Sequence, residues 1–240
     1  MEFENTYEDD AYAAAYAKLE FPGTYYLAFR DLPEILTTHV DGTKALDFGC
    51  GTGRSTRFLA KLGFQPVGVD IAEEMIQKAR MADPTGEYHR VADGDMDQFE
   101  TNTFDLALSA FTFDNIPTRE KKIGLFSELA RVLRAAGKIV NLVSSPEIYW
   151  HEWVTFTTRD FPENRQAKCG DFVRIIVTAL DDKRPTIDVL WPETDYCDIY
   201  RECGLEVAEV HRPLGRPDEP IEWINETTIA PWTIYILRKQ

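Results

Sequence analysis

Short apolar runs alternate with amphipathic stretches through the first two thirds of the chain. The apolar runs lie at 45–48, 66–70, 88–92, 104–109 and 138–143, and their length predicts buried β-strands. Helices are predicted between them at 55–62, 72–81 and 119–133, and in the last of these Ile123, Phe126 and Leu129 recur at helical spacing. This alternation predicts an α/β fold, in which helices cover both faces of a mostly parallel sheet.

The segment before the first strand (1–40) is rich in tyrosine. An alanine-rich helix is predicted at 11–17 and is ended by Pro22. Thr24 is expected to cap a second helix that runs to Leu36. We interpret the whole segment as an N-terminal helical cap, in which most of the tyrosines pack on the edge of the sheet.

The segment 145–194 differs from the alternating pattern that precedes it. It begins with an aromatic cluster, and two apolar runs at 173–177 and 186–190 flank a polar turn. This pattern predicts a β-hairpin, which we interpret as an inserted lid or interface element. A helix at 195–203 and strands at 205–211 and 232–237 are then expected to complete the sheet.

Composition and charge narrow the possible functions. The 240 residues carry a formal net charge of −15, and since nucleic-acid binding relies on basic side chains, a small-molecule substrate is expected instead. No apolar run approaches the roughly 20 residues that span a bilayer, and the acidic N-terminus lacks the basic start of a signal peptide. The four cysteines are scattered, so no disulfide or metal site is expected. We expect a cytoplasmic monomer or homodimer that binds no membrane.

A glycine-rich turn follows the first predicted strand. It contains Gly49, Gly51 and Gly53, is preceded by Asp47, and leads directly into a helix. Glycine lets the backbone bend tightly and approach a ligand, and the start of a helix presents N–H groups without intrahelical partners. The turn is not the dinucleotide fingerprint G-x-G-x-x-G, because its sixth position is Arg54, and it is not a P-loop. A cofactor without a pyrophosphate is therefore expected.

A second acidic position supports the interpretation of this turn as a cofactor cradle. Asp70 ends the second predicted strand, 17 residues after Gly53, where the second strand of a βαβ unit ends. A carboxylate at this point can accept hydrogen bonds from both hydroxyls of a ribose. A turn that merely joins a strand to a helix would not explain the two signals together.

The stretch Asp47-Phe48-Gly49-Cys50-Gly51-Thr52-Gly53 resembles motif I of the class I S-adenosylmethionine-dependent methyltransferases, in which this loop wraps the methionine part and the ribose of the cofactor. The segment 131–138 resembles the leader to the fifth strand of that family. The resemblance implies a Rossmann-like, seven-stranded sheet of order 3-2-1-4-5-7-6 with strand 7 antiparallel, here with an inserted β-hairpin lid. The parts are then the cap (1–40), the cofactor-binding half (41–144), the insert (145–194) and a C-terminal part that completes the sheet (195–240).

The resemblance also implies which residues bind S-adenosyl-L-methionine and its product S-adenosyl-L-homocysteine. In the family an acid after the third strand accepts a hydrogen bond from the adenine amino group. Asp95, followed by Met96, fits this position, because Phe99 then falls where an apolar residue anchors the loop, and Asp93 is the alternative. The implied cofactor-binding residues are Asp47, Gly49, Cys50, Gly51, Gly53, Asp70, Ile71, Asp95, Met96 and Ser109.

The acceptor site is expected beyond the carboxyl end of the fourth strand, where open α/β sheets bind ligands. Residues 109–112 read Ser-Ala-Phe-Thr, so the Asn/Asp-Pro-Pro-aromatic motif of enzymes that methylate amino groups of nucleic acids is absent. Whether any residue acts as a base stays open; the catalytic candidates are Asp114, Asn115 and His151, with Asp171 and Glu226 as further polar groups. The pocket is expected to be lined by Tyr25, Tyr26, Phe113, Trp150 and Trp153.

The predicted function is methyl transfer from S-adenosylmethionine, without a metal, to N or O of a small, flat heteroaromatic or phenolic metabolite by in-line displacement. The chain is also similar to bacterial enzymes that methylate toxoflavin-type azapteridines, at 25–26 and 230–232. Two alternatives stay open: a non-catalytic S-adenosylmethionine-binding partner protein, and a nucleotide or RNA methyltransferase. The intact glycine turn and Asp70 disfavour the first, and the charge and the missing motif disfavour the second.

Overall fold

Ten strands form two sheets in the described part of the chain. The computed structural model describes residues 21–240, except for the side chain of Asp93, so the helix predicted at 11–17 lies outside the described residues. The strands are β1 (Lys44–Phe48), β2 (Gln65–Asp70), β3 (Glu87–Arg90), β4 (Phe104–Ala110), β5 (Leu133–Ser144), β6 (Phe156–Thr157), β7 (Phe172–Val177), β8 (Thr186–Val189), β9 (Leu205–His211) and β10 (Trp232–Lys239).

The main sheet has the predicted topology. Its order is β3-β2-β1-β4-β5-β10-β9, which is 3-2-1-4-5-7-6 when its own strands are counted alone. β1 to β5 run parallel, and β10 is antiparallel to both β5 and β9. The register places Phe48 beside Val69 on one side and beside Ser109 on the other. The carboxyl ends of β2, β1 and β4 therefore lie together at one edge of the sheet.

Helices cover both faces of this sheet, as the alternation of the sequence predicts. On one face, Leu27 and Leu59 pack against Leu106, and on the other face Phe126 packs in one cluster with Phe48. All five side chains are almost completely buried. The helices of the described chain are α1 (Thr24–Arg30), α2 (Leu32–His39), α3 (Arg54–Lys61), α4 (Glu73–Ala82), α5 (Arg119–Val132) and α6 (Glu193–Glu202).

The helical segment before β1 is divided in two, so the prediction of one helix ending at residue 36 is wrong. Asp31 separates α1 from α2. Pro33 lies in the first turn of α2, where proline is favoured because its missing N–H would have no intrahelical partner there. Thr24 is also not the N-cap; Gly23 occupies that position, and the Thr24 hydroxyl donates to Glu226 instead.

The insert contains the predicted hairpin together with a third strand. β7 and β8 pair antiparallel, and β6 pairs with the other edge of β7, which gives the order β6-β7-β8. A two-residue strand leaves no periodic signal in a sequence, which is why β6 has no counterpart in the prediction. Val173 and Ile175 of this lid sheet (β6–β8) are buried in the same cluster as α1, so apolar burial anchors the insert to the main fold.

A buried carboxylate joins three distant parts of the chain. Glu226 has no exposed surface and accepts hydrogen bonds from Thr24 Oγ1 at 2.7 Å and from the Val154 amide at 2.8 Å. Its second oxygen accepts from the amides of Ile224 and Asn225. These bonds tie α1, the insert and the loop before β10 together, and they give Glu226, one of the further polar groups considered from the sequence, a structural role.

Replacing Glu226 by alanine should therefore destabilise the whole fold. The change leaves several buried donors without an acceptor, so we expect a loss in the free energy of unfolding on the order of 3 kcal/mol, measured by urea denaturation. Glu222→Ala is the control, because Glu222 lies exposed in the same loop, and it should change stability by less than about 0.5 kcal/mol. Equal losses for the two variants would contradict the joining role.

Candidate active site

The glycine turn adopts a backbone conformation that favours glycine. Gly49, Gly51 and Gly53 have φ values of +73°, +53° and +79°. The amides of Gly49 and Cys50 both donate to the Val69 carbonyl, at 2.8 and 2.9 Å, so the turn is fixed to the end of β2. The turn is thus held rigidly at the edge where the three strand ends meet.

The three glycines face different surroundings. A Cβ added at Gly49 would collide with the Thr112 side chain, and one added at Gly53 would lie 2.7 Å from Tyr88 Oη. A Cβ added at Gly51 would meet no protein atom within 4 Å. Gly51 therefore borders open space at the strand ends, where a ligand could approach its backbone.

Asp47 is a buried carboxyl beneath this turn. It is completely buried, and its Oδ2 accepts hydrogen bonds from Ser55 Oγ at 2.7 Å and Thr56 Oγ1 at 2.6 Å. Its Oδ1 is buried and has no partner among the described residues. Burial raises the pKa of Asp47 to about 6, although the two hydroxyl bonds oppose the shift. Such an oxygen suits a ligand that supplies a cation or an N–H donor.

Asp70 is fixed in place at the end of β2. Its Oδ2 accepts from the Gly51 amide at 2.8 Å, and its Oδ1 accepts from the Ala72 amide at 2.9 Å. The next residue, Ile71, is a large apolar side chain that is 43% exposed. An acid with an exposed apolar side chain beside it would suit the sugar and the base of a nucleoside.

The remaining cofactor candidates contribute in different ways. Asp95 is exposed and accepts a hydrogen bond from the Asp97 amide, while the side chain of Asp93 is not described. Cys50 and Met96 have almost no exposed surface and pack into core clusters, so only their backbones can face a cofactor. Ser109 is buried beside Phe48, and its Oγ has no partner among the described residues.

A cation–π cluster connects the cradle to the N-terminal segment. Arg54 is the first residue of α3, directly after Gly53. Its guanidinium lies 5.3 Å from the ring centres of Phe21 and Tyr25 and 5.7 Å from that of Phe29. A guanidinium at these distances is attracted to the ring faces. The start of the cradle helix therefore holds α1, and with it Tyr25, against the sheet edge.

A narrow pocket lies beyond the end of β4, under the lid sheet. Tyr25, Phe111, Phe156 and Trp232 form aromatic walls of this pocket. The cavity volume is about 30 Å³, which in this conformation is smaller than a flat ring of the predicted kind requires. Its other lining residues are Asp114, Asn115, Ser144, Ile148, Tyr149, Ile175, Val177, Thr186 and Asp188.

Phe111 stands at a strained position in this pocket. Its φ is +66°, in the left-handed region that bulky residues rarely adopt. Its amide donates to the Leu142 carbonyl at 2.8 Å, which keeps the chain in register with β5 through this bend. The bend turns the chain from β4 into the short 3-10 segment Thr112–Asn115, which carries two of the predicted catalytic residues.

Two carboxyls from distant parts of the chain share the pocket. Asp114 accepts from the Ser144 amide at 3.0 Å and from Ser144 Oγ at 2.8 Å. Asp188, on β8, accepts from Tyr149 Oη at 3.0 Å. Burial raises the pKa of both carboxyls, and the charge of Asp114 raises the pKa of Asp188 further.

A buried lysine lies behind this pair. Lys122, on α5, has no exposed surface; its Nζ donates to the Phe113 carbonyl and lies 4.9 Å from the ring centre of Trp191 and 5.3 Å from that of Tyr196. Burial lowers the pKa of Lys122, although the nearby charge of Asp114 opposes the shift. Buried titratable groups of both signs therefore lie in and behind the pocket.

Several predicted acceptor residues lie elsewhere. Phe113 is fully buried and stacks on Phe126 with ring centres 3.9 Å apart, and Trp153 is buried with its Nε1 donating to the Ile148 carbonyl, so neither lines the acceptor pocket. Trp150 and His151 line a different cavity of about 570 Å³ beside the insert. Aromatic residues at the start of an insert can pack in a core as well as line a pocket, and Trp153 is part of the buried core here.

The other candidates divide in the same way. Tyr25, Asp114 and Asn115 do line the acceptor pocket, whereas Tyr26 is half-buried outside it. Asp171 caps a turn by accepting from the Lys168 amide. The polar position 188 within an apolar strand is a signal that could have revealed Asp188. The pocket residues that the site prediction does not name include Phe111, Ser144, Phe156 and Asp188.

Comparison with known proteins agrees with this geometry. Residues 46–141 match the family model described as "Methyltransferase domain". A demethylmenaquinone methyltransferase of Tropheryma whipplei is 35% identical over 101 residues, and the match spans 41% of this chain and 41% of that protein. The chain thus spans about two fifths of the length of the curated relatives it matches.

Two solved structures share the fold over most of their length. The CcbJ methyltransferase from Streptomyces caelestis superposes with a TM-score of 0.68 at 17% identity, covering 99% of both chains. An S-adenosylmethionine-dependent methyltransferase from Mesorhizobium loti gives 0.63 at 19% identity, covering 88% of this chain and 98% of that one. Residues 46–141 therefore match a methyltransferase domain, and most of the chain shares the fold of these methyltransferases. The cofactor of this family is S-adenosylmethionine, and the unpartnered Asp47 oxygen and the open space at Gly51 fit it.

Residues 21–240 contain neither a metal-binding cluster nor a membrane-spanning helix. No group of three or more His, Cys, Asp or Glu side chains in this range lies close enough together to hold a metal ion. None of the helices in that part of the chain is long and apolar enough to cross a bilayer.

Gly51→Ala should selectively weaken binding of the cofactor. The new methyl group would occupy the open side of the cradle, so we expect at least a tenfold loss of affinity for S-adenosylhomocysteine, about 1.4 kcal/mol, by calorimetry. Gly204→Ala is the matched control, because Gly204 also has a left-handed φ (+69°) and an equally open Cβ position. Both variants should lose about 1 kcal/mol of folding stability through backbone strain, but the control should bind normally. Normal binding by folded Gly51→Ala would remove this turn from the cofactor site.

Proposed function

We propose that this protein transfers a methyl group from S-adenosylmethionine to a small-molecule acceptor bound under the lid sheet. The observation that carries the proposal is the direct connection between cradle and pocket. Thr112 Oγ1 donates to the Phe48 carbonyl at 2.9 Å, and the same side chain packs against Gly49. Thr112 begins the short segment that carries Asp114, so the cofactor loop and the acceptor pocket share one wall.

The chain's own residues supply binding, orientation and exclusion of water. Gly51, Asp47 and Asp70 would hold the cofactor, which supplies an electrophilic methyl group when bound. The aromatic walls and the lid sheet keep water from the reacting atoms, which favours a displacement that needs close approach and alignment. The carboxyls that line the pocket beyond the end of β4 are Asp114 and, from the lid, Asp188.

The curated relatives do not define the acceptor. Their name specifies demethylmenaquinone, but the match covers about two fifths of each chain, and the family match ends at residue 141, before the insert that roofs the pocket. We therefore retain the prediction that the acceptor is a small metabolite. Its methylation at N or O is proposed to require no metal ion. Similarity to the toxoflavin-type enzymes, a cytoplasmic location, and a monomeric or homodimeric state remain predictions.

Asp70→Ala tests the proposed cofactor site. Loss of an acceptor for the ribose hydroxyls should weaken S-adenosylmethionine binding by roughly 1.5–3 kcal/mol, or about 10- to 150-fold, the range for a hydrogen bond to a charged group. Calorimetry in the presence of a chelator measures this, with Asp41→Ala as an exposed acidic control. A requirement for a divalent ion, or binding of NAD in place of S-adenosylmethionine, would contradict the proposal. Tight binding without turnover of any acceptor would favour the non-catalytic partner protein.

A further inference from the structure

The acceptor pocket is rich in hydrogen-bond acceptors. Asn115 directs its Nδ2 to the Phe111 carbonyl at 3.4 Å, which leaves its Oδ1 buried with no partner among the described residues. Asp114 and Asp188, 5% and 7% exposed, add two carboxyls to the same lining. A buried acceptor without a donor is unfavourable, so these groups favour a ligand that brings donors of its own.

Three residues of the pocket have hydrogen-bond donors that are already engaged by the protein. Ser144 donates through both its amide and its hydroxyl to Asp114, and the Tyr149 hydroxyl donates to Asp188. The indole Nε1 of Trp232 donates to the Thr24 carbonyl at 2.8 Å. A phenolate or carboxylate in this pocket would therefore find no donor among these groups and would lie beside two acids.

The charges around the pocket favour a cation. β8 packs against the segment that carries Asp114, so the two carboxyls come from elements in contact. Lys122 is the cation behind them, but within residues 21–240 it forms no ion pair with either acid, and its Nζ is directed to the Phe113 carbonyl and to aromatic rings. The aromatic walls of the pocket also attract cations through their ring faces.

These observations deepen the proposed function, on which the following inference rests. We propose that the methyl acceptor is an amine, whose nitrogen is held by Asp114, Asn115 and Asp188, and that the two carboxyls take up the proton that the nitrogen loses. The bound ammonium first gives one N–H proton to the carboxyl pair, which frees the nitrogen lone pair. The lone pair forms the new N–C bond while the C–S bond breaks with its electron pair going to sulfur, so the products are the methylated ammonium and S-adenosylhomocysteine.

The titration of the pair is suited to this role. Burial raises the pKa of both carboxyls, and the hydrogen bond from Tyr149 and the charge of Lys122 lower the pKa of Asp188. Asp114 is stabilised in its charged form by Ser144 and Lys122. A base is most effective when its pKa lies near the working pH, which such opposing effects can achieve.

Isotope labelling identifies the chemical class of the acceptor directly. The full chain is incubated with a metabolite extract and S-adenosylmethionine that carries a deuterated methyl group, and labelled products are located by tandem mass spectrometry. A label on an amine nitrogen supports the inference. A label on oxygen, carbon or a thiol overturns it while leaving the proposed methyl transfer intact. If the protein is folded and binds the cofactor but yields no labelled product, that result contradicts both the proposed function and the inference.

Asp188→Asn tests whether the carboxyl pair accepts the proton, with the acceptor that the labelling experiment identifies as the substrate. The amide preserves the side-chain shape and can still accept from Tyr149, and kcat/KM should fall at least tenfold while the Kd for S-adenosylhomocysteine changes less than twofold. Asp181→Asn is the control, because Asp181 is an exposed acid in the turn between β7 and β8. Equal kcat/KM for Asp188→Asn and the control would overturn the role of the pair.

Tyr149→Phe gives a second test that retains both carboxyls. Removing the hydroxyl takes away a bond that lowers the pKa of Asp188, so the pKa should rise. Because the base acts only when deprotonated, the ascending limb of the kcat/KM profile should move to higher pH than in the wild type. An unchanged limb, or a shift to lower pH, would show that Asp188 does not accept the proton.

Discussion

The structure depends on how buried carboxyls at the carboxyl edge of the sheet are satisfied. Asp47, Asp114, Asp188 and Glu226 are all at least nine-tenths buried, and each accepts hydrogen bonds from neutral hydroxyl or amide donors. Burial of an acid is unfavourable without such bonds. Glu226 has four donors and acts as a structural link, whereas the other three have fewer. This difference separates an acid that holds the fold together from acids positioned to meet a ligand.

The same arrangement connects fold and chemistry. The proposed methyl transfer places a cationic cofactor next to a nucleophile, and an edge with partly satisfied acids attracts positive charge to that place. Thr112 links the cofactor turn to the segment carrying Asp114, so a displacement of either part would be transmitted to the other. The matched segment 46–141 contains the proposed cofactor cradle, and the insert contributes Tyr149 and Asp188 to the proposed acceptor pocket.

The sequence predicts those parts of the protein whose signals are local. Apolar runs and turn residues are enough to identify the main sheet, and the spacing of the glycine turn and Asp70 is enough to predict the cradle. The acceptor pocket depends on contacts between residues far apart in the chain, such as Asp114 and Asp188. Nothing in the local pattern separates Trp153, which is buried in the core, from Trp150, which borders a cavity. The division at Asp31 is equally hidden, because helix-forming residues lie on both sides of it.

A crystal structure of the full chain with S-adenosylhomocysteine tests the central claim most directly. The ribose should contact Asp70, the amino group of the ligand should lie near the unpartnered oxygen of Asp47, and the sulfur should face the pocket bordered by Phe111 and Asp114. A ligand bound in the glycine turn with its sulfur directed away from that pocket, or bound elsewhere on the protein, would contradict the account.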